Sequence, residues 1–306
     1  MKLRDLLNLI TKVAVDNKIP TPMIVGGVPR DRVAGILKSE VPDLDITNGS
    51  VSIANLAVET EIELKKHYTI KTSQGDDGHR SIFFPGNEFK LDFSSHAIQP
   101  KIDLHLHDLG IKNPTDMQRE CYSRDFYCNT LLLSLDLKKV KDPTHQGIKD
   151  IKEKIIRTCL DPDTTFRFNT NRIIRVIYLA AKLNFDVDPE IIKWMSANKD
   201  MVRLSNDTYL KKNLDKAMSK NPEKAVEIIS KTNLWNAIPI TGELQPYYNK
   251  HISAPKTAQL KRNFDYGEGF YANMSKYDSV VDFRKKRRNK RKKILENIKE
   301  MKLKCQ

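Results

Sequence analysis

In VGGVPRDRVAGILKSEVPDLDITNGS, residues 25–50, a short apolar approach (Met23–Val25) reads as a buried strand end that runs into Gly26-Gly27. Paired glycines let the backbone turn tightly and come close to a ligand without interference from Cβ. Arg30 and Asp31 follow, then an apolar-periodic segment closing at Gly35, then Asp43-Leu44-Asp45-Ile46. If that last run is a strand, both carboxylates point to one face, about 7 Å apart along the backbone. Two acids on one face repel unless a cation lies between them, and Mg²⁺ ions shared with substrate phosphates are the usual resolution. A lone Asp-x-Asp or Gly-Gly reads more plainly as a solvated loop; it is the ordered set of strand, Gly-Gly, Arg-Asp, Gly and Asp-x-Asp that points to a site. Neither G-x-G-x-x-G nor G-x-x-x-x-G-K-[ST] is present here, so this stretch has no specific support as a dinucleotide fold or a P-loop.

This stretch resembles the head signature of the class II nucleotidyltransferases, the family of tRNA CCA-adding enzymes and bacterial poly(A) polymerases. Their pattern GGxVRDxLLG followed by DxD is met with Pro29 in place of Val and Val33-Ala34 in place of the leucines. The resemblance implies an α/β nucleotidyltransferase head, a small mixed sheet with helices, followed by an all-α neck, body and tail. It implies that Asp43 and Asp45 hold two Mg²⁺, that Gly26 and Gly27 admit a triphosphate, and that Arg30 helps neutralise it.

Further along, SRDFYCNT, residues 123–130, is similar to the family's RRDFTINA. Arg124, Asp125 and Asn129 keep the polar positions, while Ser123 replaces the first Arg. By resemblance Arg124 and Asp125 contact the phosphates and sugar of the nucleotide, with Asn129 supporting them. From the residues alone, the planar fork of Arg124 suits phosphate oxygens; a salt bridge to Asp125 or a neighbour is the plainer alternative. A helix expected from about Thr165 to Leu183 buries Ile173, Ile177, Ala180 and Ala181, and carries Asn169, Arg172 and Arg175 on another face. In the family this helix bears EDxxR, which reads the incoming base. Here the positions are Phe168, Asn169, Thr170, Asn171 and Arg172, so the Arg stays and both acids are gone. Arg175 also matches a family Arg. An exposed basic helix face is the alternative. Because a neutral Asn169 can donate as well as accept, the resemblance implies a narrower margin for C and A over U and G than an Asp would give.

Around these motifs, 1–18 and 52–66 read as amphipathic helices, and 68–73, 81–84 and 89–93 as strands around a Gly75–Gly78 turn. Asp92, in the last of these, is a possible third carboxylate or a plain strand-surface acid. Residues 97–113 read as an irregular loop; His105 and His107 there have no third metal ligand at matching spacing. Beyond Pro189 the chain reads as helical, with 246–261 as a loop. The expected divisions are a catalytic head over 1–137, a helical base-reading neck over 138–204, and a helical body and tail over 205–306.

At 306 residues the chain can bury a core and hold more than one domain. A net charge of +14 calls for a polyanionic partner, nucleic acid before membrane, since no apolar run approaches the ~20 residues of a span. Four scattered cysteines without a CxxC speak against zinc or a disulfide framework, and for a reducing, cytoplasmic setting. The N-terminal helix, interrupted by Asp5 and Asp16, is expected to pack on the head rather than to target the chain. Arg284, Lys285, Lys286, Arg287, Arg288, Lys290, Arg291, Lys292 and Lys293 form a basic run expected to grip RNA phosphates. Nothing calls for an obligatory protein partner. These readings converge on a template-independent nucleotidyltransferase that adds C and A, from CTP and ATP, to tRNA 3′ ends with two Mg²⁺. A poly(A) polymerase and a non-catalytic RNA-binding module on the same scaffold are the alternatives.

Overall fold

The computed structural model describes residues 2–37, 43–75, 79–84, 90–93, 98–240 and 242–252. Asp76 to Gly78, Phe89, His96, residues 253–261 and the basic run 284–293 lie outside them. Met1–Tyr248 form one compact unit, to which the following account belongs; of the second, Asn249–Gln306, the described residues only complete the last helix.

The head begins with α1 (Leu3–Asp16), followed by β1 (Met23–Val25), α2 (Gly27–Val33), β2 (Asp43–Thr47), α3 (Ile53–Lys65), β3 (Lys71–Gln74), β4 (Arg80–Phe83) and β5 (Lys90–Phe93). α1 buries Leu6, Leu7, Ile10, Val13 and Ala14, the stripe that its apolar spacing specifies, against the sheet and α3. The described sheet has the order β3-β4-β5-β2-β1-β6-β7, where β6 is Leu132–Ser134 and β7 is Val140–Lys141. All its pairings are antiparallel except β2 with β5, which is parallel. A parallel pair needs a long crossover, here supplied by α3 and the β3–β4 hairpin.

Alternation along the central strands divides two chemistries. Ile24, Leu44, Ile46, Leu91 and Phe93 join the core under α1 and α3. Met23 and Val25 face the other way, against Cys121 and Leu132. Val25 is paired with Asp45, so Asp45 shares this second face. β1 is therefore covered on both sides, which is why its three residues read as a continuous apolar run.

Two expectations fail here. The stretch 97–113 is not wholly irregular: it contains α4 (Ile102–Asp108), anchored by Ile102 and Leu106 four residues apart against Tyr122, Cys159 and Leu160. Two apolar anchors in seven residues give too weak a period to detect. The sheet also runs on through β6 and β7 to Lys141, past the expected head boundary at 137. The pairing of β6 with β1 joins residues far apart in sequence, and no local signal announces it.

After α5 (Asp116–Tyr122), closed at its start by a Thr115/Gln118 capping box, and the strands β6 and β7, the chain is mostly helical: α6 (Gly147–Glu153), α7 (Pro162–Phe168), α8 (Asn171–Leu183), α9 (Pro189–Ala197), α10 (Asp207–Lys220), α11 (Pro222–Lys231) and α12 (Gln245–Ile252). It is not all-α, because β8 (Ile155–Ile156) and β9 (Asp186–Val187) form a short parallel pair. Three of these helices start on Asp161-Pro162, Asp188-Pro189 and Asn221-Pro222, a capping side chain followed by a proline whose missing N–H costs nothing at the first turn. α8 is central, burying seven apolar side chains and packing against α10 and α11. The single helix expected from Thr165 is two helices: Asn169 is extended, with φ −152 and ψ 102, and divides α7 from α8. The expected loop 246–261 is helical as far as Ile252. No helix among the described residues is long and apolar enough to cross a membrane.

α6 sits on the 3₁₀ turn Tyr127–Asn129, and Gly147 permits this: a Cβ there would lie 2.6 Å from the Tyr127 carbonyl oxygen and 2.9 Å from Leu131 Cδ2. Gly147→Ala should therefore destabilise the fold by about 1–3 kcal/mol, the usual cost of overpacking, read as a lower midpoint in urea unfolding with an unchanged slope.

Candidate active site

β1 ends at Val25 and the chain turns at Gly26 with φ +81. A Cβ on Gly26 would lie 3.0 Å from Asp45 Oδ2. Glycine is thus required twice, for the left-handed backbone and for the space beside the carboxylate. On β2, exposed Asp43 and half-buried Asp45 alternate with buried Leu44 and Ile46, so the two acids share a face. β5 runs alongside in register, Asp43 beside Lys90 and Asp45 beside Asp92. Four side chains, three acidic and one basic, therefore line one face of two neighbouring strands.

Their electrostatics differ. Burial pushes the Asp45 carboxyl above the ordinary range and Asp92 adds to this, against the pull of Arg124, Lys90 and Arg175. No hydrogen bond or ion pair to the Asp43 or Asp45 carboxylate is made by a described residue. Burial would also raise Asp92, but hydrogen bonds from His79, Lys90 and Ser81 outweigh it and hold Asp92 at about 2. Among the described residues no three His, Cys, Asp or Glu side chains converge on a metal-sized point. The donor set that remains is a pair of carboxylates with no described counter-ion bonded to either, one of them desolvated by burial. That suits a hard cation such as Mg²⁺, which takes one or two carboxylates and completes its shell with water and phosphate oxygens.

The Arg-Asp pair and the SRDF stretch meet in a single network. Arg30 Nη1 donates to Asn129 Oδ1 at 2.7 Å, Asn129 Nδ2 donates to Asp125 Oδ1 at 2.9 Å, and Arg175 Nε donates to Asp125 Oδ2 at 2.6 Å. At the other end Arg30 pairs with Asp31 at 2.6 Å, and Lys182 Nζ on α8 donates to Asp31 at 2.8 Å. Arg30 is only 4 % exposed and is occupied by these partners; Asn129 is likewise internal. Burial would raise Asp125, but Arg175, Arg172 and Asn129 overcome that and hold it at about 2. Arg124 pairs with Glu120 at 2.6 Å, and Glu120 also accepts from the Thr47 hydroxyl at the end of β2. The Nε of Arg124 is buried with no hydrogen-bond partner among the described residues. Ser123, standing where the family has Arg, accepts from the Gln99 N–H at 3.0 Å.

The neck residues are placed differently from the sequence expectation. Asn169 Oδ1 accepts from the Asn171 N–H at 3.1 Å, a turn that opens α8. The Arg172 guanidinium donates to the carbonyls of Ser123 at 2.6 Å and Arg124 at 3.3 Å, and lies 5.1 Å from the centre of the Phe168 ring. Phe168, in place of a family Glu, thus supports the Arg instead of pairing with it. Sequence reasoning did not find Lys90, Glu120 or Lys182. Register places the first, and the other two are placed by contacts between distant segments.

Fold and site together give a mixed-sheet head with a two-acid strand face, joined to a helical neck. Residues 22–157 match the family model described as the poly A polymerase head domain. The chain is 24% identical over 238 residues to the mitochondrial CCA tRNA nucleotidyltransferase of Saccharomyces cerevisiae, covering 72% of this chain and 43% of that protein. It is 24% identical over 249 residues to a CCA-adding enzyme of Staphylococcus epidermidis, covering 80% and 58%. A solved CCA-adding enzyme with ATP superposes with a TM-score of 0.58 at 21% identity, over 76% of this chain and 52% of that one. Over residues 22–157 the head thus matches the poly A polymerase head-domain family, and the chain spans about half the length of the curated relatives it matches.

Asp125→Asn would leave Arg175, whose side chain is about a third exposed, facing a neutral partner, at a cost of about 1.5–3 kcal/mol. The native carboxylate sits at about 2, below the ~3.9 of an unfolded Asp. Its contribution of about 2–3 kcal/mol is therefore complete above about pH 4 and is lost as pH falls toward 2. Urea unfolding between pH 7 and pH 2 should show wild-type stability falling over that window, and a shallower fall for Asp125→Asn from a lower start.

Proposed function

We propose that this chain is a template-independent RNA nucleotidyltransferase that adds C and A nucleotides, from CTP and ATP, to tRNA 3′ ends. The observation that carries this is the Asp43/Asp45 face, with Asp45 desolvated beside the Cβ-free turn at Gly26. Relatives that share the head are CCA-adding by name. Asp43 and Asp45 would hold two Mg²⁺, which when bound would activate the RNA 3′-hydroxyl and neutralise the triphosphate and departing pyrophosphate. The chain's own residues bind and orient. Gly26 and Gly27 leave room for phosphates against the backbone, and Arg124, partly exposed and tied to Glu120 through one nitrogen, offers its guanidinium to them. Arg30, Asn129, Asp125 and Arg175 act from behind, holding the SRDF segment in place. Head and base-reading neck meet through this network, and the body and the basic run 284–293 would hold RNA by its backbone.

Base choice falls to Arg172. Two of its N–H groups hold the carbonyls of Ser123 and Arg124, and the guanidinium has others to offer. A donor-only group suits the acceptor ring nitrogen of cytosine or adenine and opposes the ring N–H of uracil or guanine. Asn169, with its oxygen on the Asn171 N–H, serves the helix start instead.

Asp43→Asn or Asp45→Asn should lower metal-dependent incorporation of labelled CTP and ATP by about a thousandfold, several kcal/mol of barrier, without changing the thermal unfolding midpoint by more than a few degrees. Sizing the products on RNA with each NTP separates the readings. Addition of C and A to a short, fixed length supports CCA addition, a long A tract means poly(A) synthesis, and no addition means an RNA-binding scaffold.

For base choice, Asn169→Asp preserves the oxygen that opens α8, so the ratio of C and A to U and G incorporation should stay unchanged. The sequence alone implies a wider margin for this variant. An increase in the ratio would show that residue 169 turns to the base.

A further inference from the structure

Lys90 occupies a position that a metal-binding face should avoid. It neighbours Asp43 across the parallel pair, on the same face as Asp45 and Asp92. Its Nζ is paired with Asp92 Oδ2 and lies 5.7 Å from the centre of the Phe83 ring. The other oxygen, Asp92 Oδ1, accepts from the Ser81 hydroxyl and lies 3.2 Å from His79 Nε2. Both oxygens of Asp92 are thus engaged within β4, β5 and the residue before them, while Asp45, beside it in register, has no such partner. Asp92 is turned to its own lysine, in keeping with the lack of a three-carboxylate cluster among the described residues.

A lysine ammonium is a compact, mobile point charge on a flexible stem. Tethered among three carboxylates it does two things: it occupies Asp92, and it repels any divalent cation approaching Asp43 and Asp45. Phosphate oxygens are among the strongest acceptors an ammonium can exchange a carboxylate for. A nucleotide triphosphate arriving beside Gly26 would bring those oxygens to the face where Lys90 lies.

We propose that Lys90 is a resident counter-cation that holds the acidic face weakly metal-binding until a nucleotide triphosphate arrives, then passes from Asp92 to the phosphates and releases Asp92 to the cation. This rests on the metal-carboxylate reading above and adds to it an order: metal and nucleotide bind cooperatively, and Lys90 is the positioning residue that couples them.

The test is Mn²⁺ binding to the full chain, followed by electron paramagnetic resonance, alone and with a non-hydrolysable ATP analogue. Lys90→Gln should bind Mn²⁺ alone about tenfold more tightly than wild type, a typical coupling between ligands that compete for one group. Adding the analogue should tighten wild-type Mn²⁺ binding and affect Lys90→Gln far less. Lys90→Arg, which keeps the charge, should behave as wild type. Measured against Asp92→Asn, the gain should be clearly smaller in Lys90→Gln/Asp92→Asn, because the freed carboxylate supplies part of it and the lifted repulsion the rest. Equal Mn²⁺ affinity in wild type and Lys90→Gln without nucleotide would overturn the proposal, as would a gain that survives loss of Asp92 undiminished. Unchanged Mn²⁺ binding by Asp45→Asn would overturn the metal-carboxylate reading itself. Asp45→Asn losing Mn²⁺ while Lys90→Gln matches wild type would overturn only the role of Lys90.

Discussion

A buried carboxylate, Asp125, holds this structure's two halves to one arrangement. Its oxygens accept from the Phe126 N–H, Asn129 and Arg175, and through Asn129 reach Arg30 and Asp31. An unpaired charge at this depth is costly, so each member of the chain has to find its partner in one geometry. Because Arg175 and Lys182 belong to α8 while Asp31 and Arg30 belong to α2, satisfying these charges also fixes where the helical neck meets the head. Arg172 adds a third attachment, to backbone carbonyls of the same SRDF segment.

The acidic face in front of this network has the opposite character. Behind it Arg30, Asp31, Asp125, Arg175 and Lys182 are all engaged in ion pairs; at the front Asp43 and Asp45 have no described partner, and burial raises Asp45 further. A fold with well-paired interior ions that leaves two carboxylates on one face has left room for a cation from outside. Lys90, bound to Asp92, and Arg124 are two cations whose charge acts on Asp45, Arg124 the more strongly. Arg124 lies between the two regimes: it is paired with Glu120 through one nitrogen, while Nε is buried with no hydrogen-bond partner among the described residues.

Much of this was legible from particular residues. Gly26, Asp43 and Asp45 announced a close backbone turn and a two-acid strand face because glycine freedom and strand alternation are local rules. The apolar stripe of α1 and the Asp-Pro and Asn-Pro helix starts were legible for the same reason. Arg30 was read as a phosphate contact and is an internal partner instead. A guanidinium suits carboxylates, amides and phosphates alike, and only the residues opposite it decide among them. Asn169 was placed on the face of a continuous helix. Its side chain, bonding two residues onward, instead starts a new one, a local competition that helical periodicity does not register.

By itself the sequence determined the chemistry on offer: a Cβ-free turn, paired carboxylates in a strand, an SRDF segment and a basic chain overall. Those follow from residue type and short-range spacing. Only the tertiary structure decided who faces whom. The parallel register of β2 and β5 sets Lys90 and Asp92 beside Asp43 and Asp45. The docking of α8 directs Arg172 and Arg175 onto the SRDF segment, and β6 closes beside β1 to complete the sheet. Pairing of charges and strands distant in sequence is settled by burial and register, which no window of neighbouring residues contains.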